Sequence, residues 1–561
     1  MTSATQTDSH PLVRPRLHGV TPPVEAAIVL LVLAGLSVLL LGGPLWHGGL
    51  YTDDWPIAQI YGQRGGTGYL IQELFLGDHS RPLAAVYLGV SEWFVGSNPH
   101  LHALFGLITH VLACGAVYWL LRRWSMSWWE AGLVTALFLL YPYSDSTWLW
   151  FAITQSNLST AFAAWGLIAL TGALAAGGRK GAWLQALAVV LMAASVLTYE
   201  SASLVMIVAT LVLATRSAYV RLGDRRTAAT LAIDAARRAA PCVIAVILAL
   251  LIPRIGGLLP GVDPHTGLSR SAEIDHARTM AGQAVTLAAN SSVPFGSPHR
   301  NVVIPILLLI VIVALLVWWR APSGSELRSQ LQRWLGWGVA GAVVIAAAYL
   351  VFVNTDVSYV PLGVGEYNRT NAVAAIGYCL AIFAAARIVG VLLTAGRSPT
   401  MAAAITAALG IALAVGYADL TRTDIGHWDR AGEDQRAQLQ TLSRIVGRPA
   451  PGTTMYVYGG TGTTAVNVFA FRVTWDLNGA VRLHWNEPSI SAYPIFAGTT
   501  FVCGRTTMYP SSFGNGDGIS QQAAYGHALF VDLRNGKRAL IASQAQCRSA
   551  QRSFVPGPLT G

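Results

Sequence analysis

Apolar runs of about 18 to 20 residues recur along roughly the first 420 positions, separated by short polar breaks. Each is long enough to cross about 30 Å of hydrocarbon as an α-helix. Inside a bilayer every backbone amide must find a partner within the protein, so such runs become helices rather than open strands. Charged residues make up only 11% of the 561, where a soluble chain carries roughly a quarter. The chain therefore reads as an all-α polytopic membrane domain, followed by a segment of different character.

The net charge of +10 does not point to nucleic acid, because of where the cations sit. They gather at Arg122 and Arg123, at Arg179 and Lys180, from Arg216 to Arg238 and from Arg320 to Arg333. That is the positive-inside bias, which orients spans and carries no ligand information. Residues 1–24 then form a cytoplasmic tail. Eleven spans are expected after it, at about 25–44, 99–121, 128–143, 153–176, 182–198, 202–216, 240–258, 302–319, 334–353, 372–392 and 400–418. No small-residue cleavage site comes after the first run, so it is expected to stay as a membrane helix. The first outer loop, 45–98, contains three amphipathic stretches, Pro56 to Arg64, Gly68 to Phe75 and Leu83 to Val95, suited to lying along the interface. Nearly all cations are Arg, and with heavy Ala and Gly use this points to a GC-rich bacterial genome and a plasma-membrane location.

An odd number of spans leaves residues 420–561 outside the cell, after a membrane domain over 25–419. This C-terminal region reads as a small extracytoplasmic α/β domain. Asp424 to Val446 has the pattern of an amphipathic helix. Thr454 to Tyr458 and Ala528 to Leu533 read as strands, with a turn signal at Asn535-Gly536. Of the five cysteines, Cys114, Cys242 and Cys379 lie in apolar runs and read as packing residues. Cys503 and Cys547 lie in the polar region and can pair if it faces an oxidising exterior. Gly460-Thr461-Gly462-Thr463-Thr464-Ala465 fits a dinucleotide-binding pattern, but no acidic ribose ligand stands at the expected distance.

The polar residues of the outer loops carry the chemistry. Asp53 and Asp54 sit in Tyr51-Thr52-Asp53-Asp54-Trp55, just past the first span, and Asp78-His79-Ser80-Arg81-Pro82 closes the same loop. Asp145, Tyr199-Glu200, His299-Arg300 and Glu366-Tyr367-Asn368-Arg369 occupy later loops. Carboxylates at a membrane face are costly and mark candidate sites. A carboxylate among arginines suits sugar transfer from a lipid phosphate. The Asp takes the proton of the attacking hydroxyl, and the Arg fork matches the departing phosphate. Such a phosphate leaves as an anion unaided, so the second carboxylate of a glycosidase is not needed. Plainer alternatives stand beside each residue. An Asp pair can cap the helix after Pro56, Asp78-His79 can be a turn before Pro82, Arg369 can anchor a span at the interface, and Glu200 can mark a tight turn.

An acidic pair directly after the first membrane helix, in the first outer loop, resembles the mark of GT-C glycosyltransferases. These include protein O-mannosyltransferases, the aminoarabinose transferase of lipid A and mycobacterial arabinofuranosyltransferases. Asp53-Asp54-Trp55 looks like their Asp-Asp or Asp-Glu motif, and His79-Ser80-Arg81-Pro82 is similar to a His/Arg-Pro element before the second span. The likeness covers roughly residues 20 to 420. It implies a GT-C-like membrane fold and a polyprenyl-phosphate-linked sugar donor. It also implies inversion at the anomeric carbon and a glycan, glycolipid or protein acceptor in the cell envelope. Carried over, Asp53 is the base, while Asp54 orients it or helps hold a divalent cation, which only some members of the superfamily need. Arg81 and Arg369 are expected at the donor phosphate, with Arg300 as a third candidate, and His79, Tyr199, Glu200 and Glu366 at the substrate. Trp475, Trp485 and Tyr493 suit stacking on acceptor sugars. The rival class, a transporter or flippase of lipid-linked sugars, would place acidic residues or broken helices near the bilayer midplane.

Overall fold

The computed structural model describes residues 22–76, 81–223, 227–256, 269–296, 300–355, 357, 359–511 and 521–554. The chain enters through α1 (Pro22–Leu41), and a one-turn helix α2 (Pro44–His47) leads to the acidic pair. Two helices then fill the first long loop, 45–98: α3 (Asp54–Leu76) and α4 (Pro82–Val95). α3 is broken at Gly65, where φ is +71°, a conformation that glycine adopts without Cβ strain. At 14 residues α4 is too short to cross a bilayer.

The bundle continues through α5 (Pro99–Arg123), α6 (Trp128–Leu139), α7 (Ser146–Leu149), α8 (Gln155–Ala175) and α9 (Gly178–Thr198). It is completed by α10 (Ser203–Leu222), α11 (Ala228–Gly256), α12 (Arg270–Ser292), α13 (Arg300–Arg320), α14 (Glu326–Leu350), α15 (Ala374–Leu393) and α16 (Pro399–Val446). Local sequence sets several starts. Asn98 accepts from the amides of His100 and Leu101 ahead of α5, with Pro99 at its first position. Ser325 and Ser398 cap α14 and α16 in the same way.

Among the described residues ten helices are long and apolar enough to cross a membrane, one fewer than the sequence led us to expect. The difference is the span at 128–143. Its helix stops at Leu139 after 12 residues, and Pro142 opens an irregular stretch through Ile153. The chain still passes from one end of the bundle to the other here. Glu130 lies 3.0 Å from Arg333 at one end, and the Ala152 amide reaches Asp54 at the other. Two further differences concern the segments beyond individual spans. The segment 259–301, expected as an outer loop, contains the 23-residue α12, and α16 runs unbroken for 48 residues across the boundary expected near 420.

One end of the bundle carries arginine clusters, several of them neutralised locally. Arg122 Nε lies 2.7 Å from Glu25 Oε1, and Glu130 takes Arg387 at 3.4 Å as well as Arg333. The opposite end carries the loops with the candidate site residues.

The C-terminal region is α/β. Its main sheet has the order β4–β1–β8–β9. β1 (Thr454–Tyr458) runs parallel to both β4 (Ser491–Ile495) and β8 (Ala528–Asp532). Asn535 and Gly536 turn β8 into the antiparallel β9 (Lys537–Ile541). β2 (Gly462–Ala465) and β3 (Val468–Ala470) form a hairpin, and β5 (Phe501–Cys503), β6 (Thr507–Pro510) and β7 (Ala523–Ala524) form a third small sheet. The glycine run at 460–465 thus feeds a hairpin, not the helix N-terminus that a dinucleotide pyrophosphate needs. α17 (Thr474–Trp485) covers one face of the main sheet. α18 (Gln544–Ser553) is tied to β5 by a disulfide between Cys503 and Cys547, with Cα atoms 6.0 Å apart.

Candidate active site

The acidic pair sits where four distant parts of the chain meet. Thr52 takes a left-handed backbone conformation, φ +38°, which turns the chain sharply before α3 and sends the two carboxylates different ways. Asp54 points inward and is buried. Its Oδ2 accepts from the Tyr51 amide at 3.1 Å and its Oδ1 from the Ala152 amide at 2.8 Å. Burial pushes its pKa up to about 8, against the pull of those two amides. Oδ1 thus pins the loop to the irregular 140–154 stretch, while Oδ2 closes the local turn on Tyr51.

Asp53 is only half-buried. Among the described residues its hydrogen bond comes from Trp475 of α17, whose indole Nε1 donates to Oδ1 at 2.7 Å. Burial raises the Asp53 pKa, while the Arg369 charge and the Trp475 bond pull it back. Arg369 stands in a slot between two aromatic faces, 5.1 Å from the Trp150 ring centre and 4.9 Å from that of Tyr359. Burial works against its charge, but Tyr359, Tyr199, Asp53 and Glu366 around it more than offset that. It makes no ion pair within 4 Å among the described residues, so its donor fork is not closed by a carboxylate.

Glu366 is buried and accepts from the Thr52 hydroxyl. Burial holds its carboxyl well above the ordinary range, and neighbouring Asp53 and Asp476 add to the shift. Arg81 and Glu200 form a two-pronged pair, 2.9 Å from Nε and 2.6 Å from the terminal nitrogen, and the Arg81 guanidinium lies 4.5 Å over the Tyr199 ring. The field of Arg369 also reaches Tyr199, which links this pair to the rest of the cluster.

Not every expected residue joins. His79 lies outside the described residues. Arg300 is exposed and donates to Thr286 at 3.2 Å. It opens α13, which packs on α12, α14 and α15, so its side chain turns to α12 rather than to the acidic pair. Each Asp54 oxygen accepts one backbone amide, and Asp53 accepts the Trp475 indole, so the two carboxylates are turned to different donors. No group of three metal-ligating side chains occurs among the described residues. Of the three aromatic residues suited to acceptor sugars, Trp475 alone borders Asp53. Trp485 packs on the core between α17 and the sheet, and Tyr493 lies against Tyr456.

The structure adds roles that the sequence did not assign. Asp145 is buried and takes the Asn368 side-chain amide, while Asn368 Oδ1 accepts from the Ser146 hydroxyl at 2.5 Å. Burial raises Asp145 to about 7 despite these bonds. The pairing locks the 140–154 stretch to the loop carrying Glu366 and Arg369. The C-terminal region packs tightly against the same loops. An added Cβ on Gly479 of α17 would fall 2.6 Å from Pro56 N, and one on Gly365 would overlap the Asn467 carbonyl. The Glu366 amide donates to that same carbonyl at 2.9 Å. The sequence did offer a signal for Trp150, since aromatic residues crowd the polar stretch from Tyr141 to Phe151.

No family model matches the chain, and no curated protein matches it. Among solved structures it resembles the oligosaccharyltransferase of Archaeoglobus fulgidus tethered to an acceptor peptide, at 12% identity and a TM-score of 0.40. That match covers 84% of this chain but 63% of the other, so the chain spans less than two thirds of the archaeal protein's length. AglB of the same organism, in complex with an inhibitory peptide and a dolichol-phosphate, matches at 12% identity and a TM-score of 0.39, covering 83% and 64%. ArnT from Cupriavidus metallidurans bound to undecaprenyl phosphate matches at 14% identity and a TM-score of 0.33, covering 83% and 85%. Likenesses of this size assign no role to any residue here.

Proposed function

We propose that the chain is an integral membrane glycosyltransferase of GT-C type, moving a sugar from a polyprenyl-phosphate donor to an acceptor in the cell envelope. The observation that carries this reading is the pairing of roles at one rim. A half-buried carboxylate, Asp53, sits within the field of an arginine, Arg369, whose fork is held open between two rings. In the reaction the acceptor hydroxyl attacks the anomeric carbon and Asp53 takes its proton as the new bond forms. The bond to the phosphate oxygen breaks, and Arg369 receives the charge that builds on the departing lipid phosphate. Asp54 is a positioning residue, since its two backbone bonds fix the turn that aims Asp53. Arg81, backed by Tyr199 and clamped by Glu200, is the second cation for the phosphate or its sugar. The catalytic domain is residues 25–419, with 420–561 on the same outer face as Asp53, where α17 borders the acceptor path.

A flippase would need its ionisable groups in the middle of the spans. Glu25, Arg122, Glu130, Arg333 and Arg387 instead gather at one end of the bundle, and Asp53, Asp54, Arg81, Glu200, Glu366 and Arg369 at the other. The direct test supplies the purified protein with labelled polyprenyl-phosphate hexoses and pentoses and a membrane acceptor extract. Label should pass to the acceptor with release of polyprenyl phosphate. Donor that is moved across vesicles but never cleaved would replace this reading with transport.

A further inference from the structure

A groove of about 700 Å³ lies between α8 and α9, at the end of the bundle away from Asp53. Its walls include Phe162, Trp165 and Ile168 from α8 and Leu184, Leu187 and Leu191 from α9. Arg123 and Lys180 stand at its polar mouth, and no carboxylate among the described residues lines it. Gly172 forms part of the floor: an added Cβ there would lie 3.2 Å from Leu184 and 3.9 Å from the Arg123 guanidinium. The small residue leaves room for the guanidinium against α8.

Three properties select the occupant. At 1.5 Å per residue the groove runs about 16 Å from Lys180 to Leu191, which is the depth of one leaflet of an approximately 30 Å hydrocarbon layer. Its volume falls within the roughly 300–1,000 Å³ of sites that enclose small ligands. Its mouth carries two cations on the arginine-rich end, where basic pockets between helices take anionic headgroups. We propose that the groove binds one anionic phospholipid of the arginine-side leaflet, with its headgroup phosphate on Arg123 and Lys180 and an acyl chain along the apolar walls. A polyprenyl donor fits this place poorly, since its chain is longer than one leaflet and its phosphate belongs at the other end. The site therefore stands apart from the transfer reaction and does not depend on it. By bracing α8 against α9, the lipid would also steady Tyr199 and Glu200, which continue from the far end of α9.

The test is native mass spectrometry of the full chain in detergent, titrated with phosphatidylglycerol, phosphatidylcholine or soluble glycerol 3-phosphate. Lys180→Gln removes a charge at the mouth, and Leu187→Trp fills the groove; both positions are exposed in the protein, so folding is spared. Phosphatidylglycerol should bind the wild type with one preferred copy. Lys180→Gln should weaken it about fivefold, corresponding to about 1 kcal/mol for one cation near the surface, and Leu187→Trp should weaken it at least as much. Phosphatidylcholine should bind less tightly and ignore Lys180→Gln. The proposal is overturned if either variant retains phosphatidylglycerol as the wild type does. It is equally overturned if the two lipids bind alike, or if glycerol 3-phosphate alone displaces the lipid.

Discussion

Replacing each member of the acidic pair by its amide separates chemistry from architecture. In Asp53→Asn the side-chain oxygen can still accept from the Trp475 indole, now bonded at 2.7 Å, so the local geometry persists. The ability to take a proton disappears, and loss of a positioned base costs about 10²–10⁴ in rate. Stability should not suffer. Burial raises the Asp53 pKa, so the folded protein holds that proton more tightly than the unfolded chain does. Ionisation as pH rises then costs stability, and a neutral amide escapes the cost. Asp54→Asn behaves in the opposite way. The amides of Tyr51 and Ala152 donate to opposite oxygens. Even below pH 8, where Asp54 holds its proton, the hydroxyl oxygen keeps a lone pair for its amide. The NH2 of asparagine has none to give, so one buried donor is orphaned at about 1–3 kcal/mol. The assay follows transfer from a labelled polyprenyl-phosphate sugar at pH 7 alongside the thermal unfolding midpoint. We expect Asp53→Asn to lose rate at an unchanged or raised midpoint, and Asp54→Asn to lower the midpoint. Wild-type turnover by Asp53→Asn, or a rate loss that merely tracks its unfolding, would refute the assignment.

Transfer should require ionised Asp53, so its rate should fall on the acid side at a pH above the usual carboxylate value of about 4. Because the Trp475 bond and the Arg369 charge both lower that pKa, Trp475→Phe and Arg369→Met should each move the acid limb to higher pH. Arg369→Lys should restore the limb but not the rate, since a single ammonium cannot fork across phosphate oxygens. Gly365→Ala should loosen the docking of the C-terminal region, because φ is +78° there and the new methyl meets the Asn467 carbonyl; faster limited proteolysis between 447 and 474 would report it. Removing the 503–547 bridge with Cys547→Ser should cost about 2–4 kcal/mol within that region, read by melting with and without reductant.

The spans could be read from the sequence because hydrocarbon leaves a segment almost no conformational choice. The run at 302–319 needed nothing beyond its apolar length, and the structure makes it part of Arg300–Arg320. The run at 128–143 misled for the same reason. Its composition is apolar enough to span, yet Pro142 ends the regular path and the chain bends to reach Asp54. Strands β1 and β8 and the turn at Asn535-Gly536 were visible because their signals are local. The site was visible only as a set of polar loops. That Asp53 and Asp54 take opposite parts depends on the Thr52 backbone and on an amide 98 positions away. No periodicity encodes such a partner. Trp475 is more remote still, 422 positions from the carboxylate it touches. For Arg300 the sequence likewise offered only a loop position; its hydrogen bond to Thr286 of α12 could be seen only in the structure.

The 48-residue α16 has a mechanical consequence. At 1.5 Å per residue it is a rod of about 72 Å, and only about 20 residues are needed to cross hydrocarbon. The remainder projects as a strut on which Trp428 meets Tyr51 and Thr464 bonds to His427. Trp475 is thus carried over Asp53 by a stiff beam rather than by a tether. Lifting α17 off Asp53 would have to break its seat on Pro56 and the Glu366–Asn467 bond together, because the beam itself does not bend.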